Sequence, residues 1–154
     1  MYQGLLHTHN LLRWVILIFL LLSIFRQISA GSQPFGKRDK GFGLPLLIAA
    51  HLTLLIGLYQ WAVGEWGLAL IQKYGMGEVM KDSVTRFWAV EHPLMMIIAI
   101  ILITIGYGQR KSRHTARIQR RRTLIYYFLA LVAIVLAVPW PFREVIGRPL
   151  FPGM

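Results

Sequence analysis

Three histidines stand inside or at the mouth of apolar runs in this 154-residue chain. They are His9 in HTHNLLRW (His7 to Trp14), His51 in AHLTLLIGL (Ala50 to Leu58) and His92 in KDSVTRFWAVEHPLMM (Lys81 to Met96). An imidazole in such a run has two kinds of chemistry open to it. It can ligate haem iron, where two imidazoles from facing helices fill both axial positions. It can also tie helices together by donating to a backbone carbonyl or a hydroxyl. Ionisable groups inside a span are costly and face interior sites, which marks the neighbours Glu91 and His92. Arg13, one turn from His9, is an electrostatic partner for an acidic group such as a propionate, a role open also to Arg86 and Arg143. Trp88, Met95 and Met96 share the helical face of His92 and give it a soft, flat neighbourhood suited to a macrocycle or a quinone ring. Glu91 points about 100° away around the helix, so it is expected to pair with Arg13 or Arg143. Pro93 removes the amide that would bond the carbonyl of Ala89 and leaves that oxygen as a free acceptor.

The elements that must position these residues are helices. Four apolar stretches reach or approach the roughly 20 residues needed to cross a bilayer: Leu11 to Phe25, Leu44 to Val63, Phe87 to Tyr107 and Thr123 to Trp140. With caps included, the spans are expected at about 8–28, 44–63, 84–107 and 122–140, joined by loops at 29–43 and 108–121. Lipid leaves no backbone group unpaired, so the expected fold is all-α, a single integral-membrane four-helix bundle. Pro45 suits a first helical turn, Asp82 or Ser83 a cap, and Pro139 and Pro141 a stop. Between spans two and three, GEWGLALIQKYGMGEV suits a short helix lying in the interface.

A depth ruler follows from the helical rise of about 1.5 Å per residue, counted from the charges that end each span. His9 precedes Arg26 and His92 precedes Arg110 by nearly the same count, which puts both roughly 25 to 27 Å from the basic side. Arg13, Gln60 and Glu65 fall near the same level, and with Glu91 they make up an expected polar network. His51 lies roughly 9 Å from the start of its span, the most deeply embedded imidazole on this ruler. It is equally a candidate ligand and a candidate donor to a nearby carbonyl. His7 reads as interfacial and His114 as solvated among arginines.

Charge fixes an expected orientation. Eleven of the seventeen Lys and Arg residues fall between spans one and two or between spans three and four. The positive-inside rule then puts both basic loops in the cytoplasm and both termini in the periplasm. Basic loops at that surface hold topology and meet anionic lipid, so the formal net charge of +11 is not a nucleic-acid footprint. Nothing basic precedes the first run, so it reads as a retained span rather than a signal peptide. There is no cysteine, which excludes iron–sulfur clusters and covalent c-type haem. No phosphate loop, nucleophile elbow or HExxH is present.

HTHNLLRW, AHLTLLIGL, KDSVTRFWAVEHPLMM and PWPFRE (Pro139 to Glu144) together resemble a group of small four-span bacterial membrane proteins, common in Bacteroidota and labelled cytochrome b-like. The resemblance implies a multi-pass protein of the bacterial inner membrane and b-type haem, with His9, His51 and His92 as candidate positions. It departs from a full two-haem respiratory cytochrome b core, since only His51 and His92 lie well inside spans. The expected function is electron transfer, or quinone or haem handling, near the outer face, as a carrier rather than an independent enzyme. The alternative is a cofactor-free accessory or assembly subunit of a respiratory or other membrane complex. A third class, a proton- or metal-handling component using Glu91 and His92, is disfavoured by the small size and the lack of paired broken helices.

Overall fold

The computed structural model describes residues 2–150. Helix α1 (Tyr2–Ala30) is followed by α2 (Lys37–Val63), then by the short helices α3 (Leu68–Tyr74), α4 (Met76–Lys81) and α5 (Ser83–Arg86). One π-helical turn, Phe87–Glu91, leads into α6 (His92–Gly108), and a 3-10 turn, Gln109–Lys111, precedes α7 (Ala116–Ala137). No strand occurs among the described residues. The four long helices pack in a ring, α1 on α2, α2 on α6, α6 on α7 and α7 on α1, so α1 faces α6 across the diagonal.

The buried positions explain the packing. On α1 they include Ile16, Leu20, Ser23, Gln27 and Ala30, and on α2 Asp39, Gly43, Leu46, Ala50 and Thr53. On α6 they include Ala99, Ile103 and Gly106, and on α7 Arg120, Thr123, Tyr127, Ala130, Ile134 and Ala137. Every series steps by alternating threes and fours, the spacing of about 3.5 residues that keeps one seam of each helix on a shared axis. Small residues on the seam allow close approach: a methyl group at Gly106 would stand 2.7 Å from the Tyr127 ring.

The outer faces carry the large apolar side chains. Phe25 is 70% exposed and Leu55 65%, whereas Ser23 and Thr123 are each 1% exposed. Small and polar inside with large and apolar outside is the arrangement suited to an apolar solvent. Three segments, Tyr2–Ala30, Lys37–Tyr74 and Ser83–Lys111, are long and apolar enough to cross a membrane. Helix α7 has Arg120, Arg121 and Arg122 in its second turn, which leaves Thr123 to Ala137 as its uncharged part.

Several local expectations are met. Asp82 caps α5 by accepting from the Thr85 amide at 2.8 Å, a bond that holds its carboxyl below the usual carboxylate range. α7 ends at Ala137, two residues before Pro139. The segment between spans two and three forms two short helices rather than one. Pro45 differs from expectation: it lies inside α2, because Asp39 accepts the Gly36 amide at 2.8 Å and starts the helix at Lys37.

Arg120 differs most. Counted in sequence as a loop charge, it is 2% exposed. Its guanidinium donates to both Asp39 oxygens, at 2.9 and 3.2 Å, and to Gln27 Oε1 and the carbonyls of Gln33 and Pro34. Arg26 stands 3.3 Å from the same carboxylate, and the Phe35 ring lies under the guanidinium at 4.4 Å. This cluster ties α1, the following turn, α2 and α7 at one end of the bundle. Removing one partner of a buried pair costs about 3–5 kcal/mol, because the other charge is left uncompensated. Asp39→Ala and Arg120→Ala should each lower thermal stability in detergent by that order, whereas Arg121→Gln, on the exposed face, should leave the melting temperature within a degree or two. Equal effects of all three would refute the role given to the pair.

Candidate functional site

At the opposite end of the bundle, the seam of α1 continues backwards through Arg13 to His9, and that of α6 through Met96 to His92. The two imidazoles, carried on diagonal helices, meet near the axis with ring centres 6.5 Å apart and planes inclined at 59°. His9 packs on α2 where Gly57 makes room: a methyl group there would stand 3.1 Å from the His9 Cε1. Arg13 is close enough for its charge to act on both rings.

His92 Nδ1 lies 2.8 Å from the carbonyl of Ala137 on α7. A carbonyl only accepts, so Nδ1 carries the proton and Nε2 keeps its lone pair. This carbonyl is available because α7 ends at Ala137, where the last carbonyls have no helical donor. Prolines free two more carbonyls. Pro93 leaves the Ala89 carbonyl without its helical donor, and the Trp61 indole of α2 donates to it at 2.8 Å. Pro139 does so for Val135, whose carbonyl accepts from the Trp140 indole at 2.8 Å. Pro93 also accounts for the π-helical turn before it, in which the His92 amide donates to Phe87 rather than to Trp88. That wider turn sets the direction of the His92 ring.

Aromatic rings surround His92. Phe87 and Trp88 each lie 5.9 Å from it, and Trp66 stands 6.3 Å from Trp88. The segment after α7 folds back over this end: Arg148 lies 5.4 Å from the Trp66 ring and 5.2 Å from the Trp88 ring, and Arg143 covers Phe87 at 5.0 Å. The Leu150 carbonyl accepts from the Arg13 guanidinium at 2.7 Å and from the Trp14 indole at 3.0 Å. Several polar atoms nearby are buried without a hydrogen-bond partner, namely His9 Nδ1, Asn10 Oδ1, Arg13 Nε and Gln60 Nε2.

The remaining sequence candidates separate cleanly. His51 faces outward, off the α2 seam, with Nδ1 2.9 Å from the Leu47 carbonyl of its own helix. It does not join the other two imidazoles. Glu91 pairs with Arg86 at 2.6 Å instead of Arg13 or Arg143, because the π turn aims it back along its own segment. Gln60 has its Nε2 buried, whereas Glu65 is exposed. His7 and His114 are exposed, and His114 Nε2 accepts from Arg122 at 2.7 Å. Among the described residues no three His, Asp or Glu side chains converge on a metal site, so the pair offers two ligands rather than a complete cage. Sequence reasoning missed Trp61, the Ala137 carbonyl and the closing segment with Arg148; the first was signalled by Pro93, whose missing amide leaves Ala89 in need of a donor.

Comparisons with protein-family models, curated proteins and solved structures returned no match.

An acceptor left unsatisfied by loss of its donor costs about 1–3 kcal/mol. Trp61→Phe should destabilise by that order in the natural background. In a Pro93→Ala background, where an amide can reach the Ala89 carbonyl, the same change should cost less than half as much. A thermal-denaturation double-mutant cycle measures this, and equal costs in both backgrounds would contradict the account.

Proposed function

We propose that this chain is a cytochrome b-like multi-pass protein of the bacterial inner membrane, with both termini periplasmic, that holds a b-type haem between His9 and His92 near the periplasmic face. The observation that carries this reading is the diagonal imidazole pair on the bundle axis. Two imidazoles sharing one metal through bonds of roughly 2 Å would hold their ring centres about 6 Å apart, close to the separation here. The donor set fits: His92 offers Nε2 because Nδ1 is tied to Ala137, and His9 has a buried Nδ1 with no partner. On the other diagonal α7 brings small buried residues, Ala133 and Ala137, to the seam. Arg13 provides the cation for an acidic substituent.

When bound, a haem of this kind supplies one-electron transfer between ferric and ferrous iron. The chain's residues orient the ligands, keep water out with Phe87, Trp88 and Trp140, and place a cation beside the acidic edge. With His9 and His92 both as ligands, the haem would suit electron transfer to a quinone or a partner complex rather than substrate turnover. His51 has no part in it.

A cofactor-free accessory subunit is the second reading, and one observation favours it: the bond from His92 to Ala137 already ties α6 to α7. The two readings part in a spectroscopic test. Protein purified from haem-replete cells should show Soret and alpha bands in reduced-minus-oxidised spectra. His9→Ala and His92→Ala should abolish them, His92→Gln should lose them while keeping a near-native melting temperature, and His51→Ala should leave them unchanged. A wild-type protein without either band sinks the haem assignment, and a stoichiometric partner on gentle extraction would then support the accessory reading.

Orientation is tested separately. Alkaline phosphatase fused after residue 150 should be active, and fused between Ser112 and Thr115 it should be inactive. The reverse pattern would invert the assignment of the two faces.

A further inference from the structure

The basic end of the bundle holds a second polar cavity. Ser23, Arg26, Tyr107, Arg110 and Tyr127 line a small enclosed space beside the Asp39 carboxylate. It adjoins an open cleft of about 340 Å³ lined by Phe35, Lys37, Lys40, Arg110 and Lys111. Phe35, Asp39 and Arg110 belong to both, so the two form one depression running from the bundle end inward. The Arg110 guanidinium lies on the Tyr107 ring at 3.8 Å, where the enclosed part meets the open part.

Two independent observations point to a ligand. The first is charge: Asp39 is the one carboxylate in the lining, and Arg26 and Arg120 already engage it. Lys37, Lys40, Arg110 and Lys111 have no carboxylate partner among the described residues. The second is a set of unused donors inside. Ser23 is 1% exposed, and its Oγ lines the cavity without a hydrogen-bond partner. The Tyr107 hydroxyl and Arg110 Nε are likewise buried and unpartnered. A buried donor with no acceptor is unfavourable, and one anion with several oxygens would satisfy these groups and the surplus cations together.

We infer that this depression binds a phosphate group, and that its source is the headgroup of an anionic phospholipid. A phosphate accepts from several directions at once, which matches a planar guanidinium, three ammonium groups and two hydroxyls better than a flat carboxylate would. The open part exceeds what a free phosphate fills. Phe35 lines both parts and Phe42 the enclosed one, and the same two helices carry exposed apolar side chains, Phe25 and Ile28 on α1 and Ile48 on α2, along which acyl chains would lie. Basic pockets at helix ends are recognised sites for such headgroups. The inference is independent of what the histidine end holds.

The test uses full-length, delipidated protein in a neutral detergent, titrated with phosphatidylglycerol, with phosphatidylcholine of the same chain length, and with inorganic phosphate. Phosphatidylglycerol should bind more tightly than phosphatidylcholine. Each lost cation should weaken it about fivefold, so Arg110→Gln and Lys111→Gln should each show that loss and Arg113→Gln, outside the cleft, should not. Ser23→Ala should weaken binding roughly twofold to fivefold through the lost hydrogen bond. Lys111 is exposed, so its variant carries the test even where Arg110→Gln folds poorly. Binding of inorganic phosphate with the same dependence on Arg110 or Lys111, but no preference between the lipids, assigns the site to a soluble phosphate and overturns the lipid source. Equal binding of the two lipids without phosphate binding, or equal effects of the Lys111 and Arg113 variants, overturns the site.

Discussion

Leucine, isoleucine and phenylalanine cover the outside of this bundle, and polar groups therefore have one place to go, the seam where the four helices meet. In an apolar surrounding an unsatisfied polar group costs several kcal/mol, so each group placed on the seam must find its partner there. Arg120 shows how far that constraint reaches. A guanidinium with five donors, turned inward on α7, has drawn the Asp39 carboxylate, the Gln27 amide and two carbonyls of the α1–α2 turn around itself. The short turn, the early start of α2 and the place of Pro45 inside that helix go with that demand.

The two ends of the seam answer the constraint differently. At the basic end Arg26 and Arg120 share one carboxylate, and Lys37, Lys40, Arg110 and Lys111 face the open cleft without one. At the histidine end the partners are backbone carbonyls released by prolines or by the end of α7. Pro93 and Pro139 each subtract an amide, α7 stops at Ala137, and the resulting acceptors are met by the side-chain donors Trp61, Trp140 and His92. A proline near the end of an apolar helix is usually tolerated because the loss lies where few bonds exist. The Trp61 and His92 bonds make connections between helices that leucine and alanine cannot make.

Much of this was legible along the chain and little of it around the helices. Apolar runs, the Asp82 cap and the proline stop locate the elements because those signals are local. The depth ruler brought His9 and His92 to one level because rise per residue is nearly constant. It ranked His51 as the most embedded imidazole for the same reason, although His51 faces outward. Depth carries no information about direction, and direction separates the three. The signal was present in the alternating threes and fours: stepping back from Leu20 and Ile16 reaches Arg13 and then His9, and stepping back from Ala99 reaches Met96 and then His92. Stepping from Leu46 reaches Ala50, Thr53 and Gly57 but passes over His51. Glu91 escaped this reasoning because the π turn shifts the phase at that point, and Arg120 because a charge beside Arg121 and Arg122 looks like part of a loop.

The bond from His92 to Ala137 bears on the choice between a histidine that ties helices and one that holds a cofactor, since it is a requirement of both. A carbonyl partner fixes the proton on Nδ1 and stiffens the ring, and a ligating imidazole needs both conditions so that Nε2 points in one direction with its lone pair free. Loss of stability on replacing His92 with alanine therefore does not separate the roles. Glutamine does, because its amide can still donate to the Ala137 carbonyl while lacking an imidazole nitrogen for iron. The tie belongs to the fold, and the proposed cofactor depends on what the tie leaves unused.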